Sequence, residues 1–145
     1  MDHRRALIVL TLLGTLSLVS TTFGVDLREL KKEIEAEKAV LLDVREEVQW
    51  KKAHLEIAVP CPFSKVSLDI EARKFIAPYL EVPGLKIYCF SEKGKVAVVA
   101  SDMFNRVDAK VIPITQPYQA FVDAGFKEKK AGDPNYDPSI PLSAP

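Results

Sequence analysis

The stretch "AVLLDV", residues 39–44, limits the possible folds more than any other part of the chain. It has no polar face, it is too short for a helix, and it is rich in branched side chains. It therefore reads as a strand buried on both faces. Such a strand needs helices above and below it, and the neighbouring segments supply them. "VDLRELKKEIEAEKA" opens with Asp26, with Glu29 three residues on, a capping-box arrangement. Leu27, Leu30 and Ile34 follow at helical spacing, so a helix is predicted from about Leu27 to Glu37.

The alternation continues along the chain. A short polar helix is predicted from about Glu46 to Lys52 with Trp50 as its packing residue, then a second strand around Ile57 to Val59, closed by prolines. Ser64 is placed to cap a helix carrying Val66, Ile70 and Phe75, and Leu85 to Tyr88 makes a third strand, with Cys89 at its C-terminal end. "KVAVVASDMF" has two readings. Its valines favour a strand, whereas its place between two strands favours a helix that buries Val96, Val99, Ala100 and Met103. Val111 to Ile114 is the last strand, and Pro117 opens a helix through Tyr118, Phe121 and Val122 that Gly125 ends. Strands separated by helices predict an α/β fold with a parallel sheet covered on both faces.

Both ends differ from this middle. Residues 1–24 run from a basic start (His3, Arg4, Arg5) through an apolar stretch, Ala6 to Val19, to small residues, the order of a secretory signal peptide. The apolar part is shorter than a membrane span and is diluted by Thr11, Gly14, Thr15 and Ser17. Export to the periplasm is expected, with an uncleaved inner-membrane anchor as the alternative. Residues 25–127 form the predicted domain, and residues 128–145, with four prolines in "AGDPNYDPSIPLSAP", a disordered tail. Lys127 to Lys130 reads as a solvated charge run.

The net charge is zero and no basic stripe carries interleaved aromatics, so nucleic acid is not an expected partner. Two histidines, one of them in the leader, cannot build a zinc cluster, and no glycine-rich phosphate loop is present. No metal or cofactor is expected. Ser91 has no evident histidine base and is a poor candidate for a serine nucleophile.

Cys89 is the remaining candidate. Ligands of open α/β sheets bind beyond the carboxyl ends of the strands. A loop of Phe90, Ser91, Glu92, Lys93, Gly94 and Lys95 leading into a helix would point backbone N–H groups at the sulfur. That setting lowers a thiol pKa and makes the sulfur nucleophilic. Lys93 and Lys95 would reinforce the effect and Glu92 oppose it. The spacing equally allows Cys89 to be a small buried hydrophobe.

"VLLDVREEVQWKKAHLEIAVPCPFS" resembles the first signature of rhodanese-like domains, through Asp43, Val44, Arg45, Glu46, His54, Ala58 and Pro62. "KIYCFSEKGKVAVVASDMF" resembles the second, a strand ending in Tyr-Cys, an active-site loop and a helix. "VIPITQPYQAFVDAGF" resembles the closing strand and helix, with Phe121 where the family usually has tryptophan. The resemblance spans about Val25 to Phe126. It implies a central parallel sheet of about five strands with helices on both faces, and a sulfurtransferase. Cys89 would take sulfane sulfur from thiosulfate, polysulfide or a protein persulfide and pass it to a thiol or cyanide. Residues 90–95 would cradle the anionic sulfur, Asp43 and Arg45 would brace the strand end, and His54 would order a turn.

A monomer or weak dimer is expected. The loop departs from the family pattern, which often has glycine three residues after the cysteine and arginine five after; here those positions are Glu92 and Gly94. A non-catalytic binding or regulatory module on the same fold is the alternative. A phosphatase on the related scaffold would want arginine where Lys95 stands. The implied strand order places Cys61 and Cys89 two strand spacings apart, roughly 10 Å, too far for a disulfide.

Overall fold

A computed structural model describes residues 24–134 and Tyr136. The leader, except Gly24, and most of the proline-rich tail lie outside the described residues. Helix α1 (Leu27–Glu35) starts at Asp26, whose side chain accepts the N–H groups of Arg28 and Glu29 at 3.0 and 3.3 Å. Leu27 and Leu30 are its buried residues. Strand β1 (Ala39–Asp43) follows, with Leu41 and Leu42 both at 0% exposure, so the strand has no wet face.

Helix α2 (Glu47–Lys52) buries Trp50 as predicted. The single strand expected around residues 57–59 is instead two pieces, β2 (Ala53–Leu55) and β3 (Val59–Pro60). The helix expected to start at Ser64 is also split, into α3 (Phe63–Val66) and α4 (Asp69–Leu80). The buried set of α4 is Ala72, Ile76 and Tyr79, whereas Ile70 is 60% exposed. Ser64 does not cap by itself; its N–H and hydroxyl both donate to the Glu46 carboxylate, at 3.1 and 2.6 Å.

Strand β4 (Lys86–Phe90), helix α5 (Lys95–Arg106), strand β5 (Val111–Ile114) and helix α6 (Tyr118–Asp123) complete the alternation. The ambiguous valine-rich segment is the helix α5. Its buried face, Ala97, Ala100, Ser101, Met103 and Phe104, is turned by about one residue from the expected one. Val96 and Val99 are 42% and 54% exposed. Alanine at 97 and 100 lets the helix lie close to the sheet, and the bulkier valines turn outward.

The main sheet is parallel, in the order β3-β1-β4-β5. It has four strands rather than about five. Strands β3 and β5 are its edges and hold Pro60 and Pro113, a placement that spares the central ladder two missing donors. Strand β6 (Glu128–Lys130) pairs antiparallel with β2 as a separate two-stranded ribbon. Part of the expected charged tail is therefore structured. Glu128 accepts the Tyr118 hydroxyl at 2.9 Å, which ties the ribbon to α6. Further on, the Tyr136 hydroxyl donates to the carbonyls of Trp50 and Lys51 at the end of α2.

Two apolar clusters cover the sheet. One joins Leu42, Ile87 and Cys89 to α4 and α5, and the other joins Leu41, Tyr88 and Phe90 to α1, α2 and α6.

Candidate functional site

Strand alternation sends successive β4 side chains to opposite faces. Tyr88 and Phe90 enter the cluster on the α1/α6 side, and Phe90 packs on Phe121 with ring centroids 4.6 Å apart. The Phe90 side chain is thus part of the core. Ile87 and Cys89 point to the α4/α5 side. Cys89 is 0% exposed, and its Sγ–H donates to the Ala97 carbonyl at 3.3 Å. Burial pushes its pKa from 9.0 up to about 12. Burial acts against the lowered pKa expected of a cradled thiolate.

The loop after β4 is held by backbone contacts on both sides. Gly94 has φ 80, a left-handed conformation, and lies against the backbone of Thr115. The Glu92 carbonyl accepts the Tyr118 N–H at 3.1 Å, which clamps the loop to the start of α6. Ser91 is 3% exposed, and its Oγ accepts the N–H of Ala97 at 3.2 Å, one of the otherwise unpaired amides of the first turn of α5. Glu92, Lys93 and Lys95 are exposed.

Asp43 and Arg45 brace the neighbouring strand end. Arg45 Nη2 and Nε donate to the Asp43 carboxylate at 2.7 to 3.1 Å, and Nη2 also donates to the Ala53 carbonyl at 2.9 Å. The guanidinium lies 3.9 Å from the centroid of the Tyr118 ring. Burial raises the Asp43 pKa, opposed by its hydrogen bonds to Arg45. Burial would lower that of Arg45, but the Asp43 and Glu92 carboxylates more than offset it and hold the guanidinium charged. One donor remains for the loop: Nη1 reaches Glu92 Oε2 at 3.2 Å, and Gln49 donates to the same oxygen at 3.5 Å. His54 stands apart, stacked on Trp50 at 4.0 Å with Nδ1 3.1 Å from the Trp50 carbonyl, where it orders the turn into β2.

Between α2, α3 and the loop lies a cavity of about 330 Å³. Val44, Phe63 and Val96 give it apolar walls, and Ser91, Glu92, Lys93, Lys95, Arg45, Glu46 and Gln49 its polar groups. Cys89 does not line it. Of the residues expected to form the site, Glu92, Lys93 and Lys95 meet at the cavity rim with Arg45, and Ser91 is on its wall. Gly94 shapes the loop, Asp43 holds Arg45, and Cys89 and Phe90 are in the core. Counting back three residues from Gly94 reaches Ser91 and not Cys89. Gly94, directly before a helix, was the signal that could have placed the loop in this register. The two cysteines are free, with β1 between β3, which precedes Cys61, and β4, which holds Cys89.

An α/β domain with a parallel sheet ordered β3-β1-β4-β5, and a loop-to-helix cavity at its carboxyl edge, defines the class. The family model of the rhodanese-like domain matches residues 26–128, and the chain belongs to that family. Among solved structures it is similar to a thiosulfate sulfurtransferase from Pseudomonas aeruginosa, at 24% identity over 72% of this chain and 19% of that chain, with a TM-score of 0.56. A rhodanese-related protein from Thermoplasma volcanium is similar at 14% identity over 71% of this chain and 93% of that one, TM-score 0.54. A human single-domain sulfurtransferase is similar at 20% identity over 66% and 90%, TM-score 0.51. These likenesses establish the fold. No curated protein matches the sequence.

Proposed function

We propose that this chain is a rhodanese-like binding domain that does not carry sulfur on Cys89. What supports this reading is the position of one atom. Cys89 Sγ is fully buried, hydrogen-bonded to a carbonyl and absent from the cavity wall. A sulfur donor that enters the cavity meets Ser91, Glu92 and the lysines instead. On this reading the domain works by holding a small molecule or a partner's side chain between apolar walls, beneath a mixed-charge rim.

A second reading keeps the chemistry of the sulfurtransferases found in the family. Cys89 would take sulfane sulfur from thiosulfate, polysulfide or a protein persulfide and give it to a thiol or cyanide. Its support is a cysteine near the end of a strand that leads through a turn into a helix. It requires the start of α5 to lift, breaking the bond between Cys89 and Ala97.

Mass spectrometry of the intact protein after exposure to thiosulfate or polysulfide separates the two. The binding-domain reading expects no added sulfur on the folded protein. One sulfur atom gained by the wild type and not by Cys89→Ser would overturn it.

A further inference from the structure

We infer that Ser91, rather than Cys89, occupies the position of the reacting atom, and that its hydroxyl is what leaves an otherwise formed sulfur cradle inert. The inference rests on the binding-domain reading and goes on to say which residue decides it. The two side chains meet opposite ends of the same residue. Cys89 Sγ faces the Ala97 carbonyl at 3.3 Å, whereas Ser91 Oγ faces the Ala97 N–H at 3.2 Å. A carbonyl oxygen favours a protonated sulfur and repels an ionised one. An amide in the first turn of a helix does the reverse, because its N–H has no helical partner and the helix dipole adds to it.

The difference follows from strand geometry. Residues 89 and 91 are two positions apart and project to the same side of the strand direction. At 89 the sheet and α5 close over the side chain, but at 91 the chain has left β4 and the side chain reaches the cavity. Ser91 accepts one hydrogen bond, and its own proton has no acceptor among the described residues. That proton is available to a ligand. Lys93 and Lys95 stand at the rim, and neither makes an ion pair among the described residues.

A thiol in place of the hydroxyl meets the requirements of sulfur transfer. Its thiolate would attack the outer sulfur of thiosulfate, forming a new S–S bond. The original S–S bond would break, and sulfite would leave with the bonding electron pair. The side chain would then hold one added sulfur as an anionic persulfide, facing the amide of Ala97. Cyanide attack on that outer sulfur would release thiocyanate and regenerate the thiolate. No oxidant or reductant beyond these two reagents is involved.

The test compares wild type, Ser91→Cys, and Ser91→Cys with Cys89→Ser. Iodoacetamide labelling is followed against pH, and peptide mass after thiosulfate exposure. The new thiol is expected to ionise below the ordinary cysteine value of about 8.5, to label at least about 100-fold faster than Cys89 at neutral pH, and to gain one sulfur atom. The double variant should behave alike. A new thiol that stays unreactive in the folded protein, or that labels but takes no sulfur, overturns the inference. Sulfur on wild-type Cys89 overturns the binding-domain reading instead, so the two failures are distinct.

Should the serine variants not fold, the wild type tests the same geometry by NMR. Thiosulfate titration is expected to shift the amide signals of residues 91–97. Unmoved signals would overturn the cradle.

Discussion

Gly94 sets the shape of the loop, and the effect of adding one methyl group there can be worked from the structure. A Cβ at this position would overlap the Thr115 carbonyl oxygen and lie 2.8 Å from both the carbonyl carbon and Cα of Thr115. All three are backbone atoms, so no side chain can swing aside. Gly94 also has φ 80, where an L side chain costs about 1–2 kcal/mol. Forcing extra volume into a packed site adds about 1–3 kcal/mol. Gly94→Ala is therefore expected to destabilise the domain by about 2–5 kcal/mol.

Gly84 provides the control. It has φ 75, but a Cβ there would meet nothing within 4 Å, so Gly84→Ala is expected to show only the conformational part, about 1–2 kcal/mol. Thermal unfolding followed by circular dichroism separates the two. For a domain of this size each kcal/mol moves the midpoint by about 3–6 °C, so the extra ~1–3 kcal/mol should make Gly94→Ala melt about 3–18 °C below Gly84→Ala. Equal losses for the two variants would refute the claim that Thr115 holds the loop.

Other variants probe the charges and the thiols. Arg45→Ala strands a 1%-exposed Asp43 carboxylate and is expected to cost about 3–5 kcal/mol in urea denaturation. Glu92→Gln, which removes a half-exposed partner of the same guanidinium, should cost under about 1 kcal/mol; similar losses would contradict the division of labour at Arg45. The Cys89 pKa is raised by burial from 9.0 to about 12. Its contribution to stability is therefore intact below pH 9 and is lost as the pH climbs toward 12, by about 1.4 kcal/mol per pH unit. Cys89→Ala should flatten that alkaline fall in pH-dependent unfolding, and an unchanged slope would argue against a buried thiol. The unreduced wild type should show no loss of two hydrogens by mass, and both cysteines should label with iodoacetamide in urea but not in buffer.

Much of the fold was legible because it depends on patterns that neighbouring residues share. The run Ala39 to Val44 could only be a strand between two layers, and Leu41 and Leu42 are buried on opposite faces of it. Asp26 and the spacing of Leu27 and Leu30 marked α1, and the alternation of elements chose helix over strand for residues 95–106 against the preference of their valines. The resemblance singled out Asp43, Arg45 and His54; in the structure Arg45 donates to Asp43, and Nδ1 of His54 lies 3.1 Å from the Trp50 carbonyl. The ribbon of β2 with β6 was not legible, because residues 53–55 and 128–130 are far apart in sequence and neither trio has a periodic signature.

The chain's own sequence thus determined the layers, the order of the elements and the presence of a loop at the end of β4. Where a sulfur atom sits relative to that loop was decided only by tertiary packing. A strand read to end at Tyr88 continues to Phe90, and that extension draws Cys89 under α5 and leaves Ser91 at the cavity. Local preferences cannot set a strand end to within two residues, because pairing with β1 and β5 sets it, through Asp43 opposite Phe90 and Phe90 opposite Ile114. In this domain those two residues separate a carbonyl from an amide as the neighbour of the side chain, and so a protonated group from one that could carry charge.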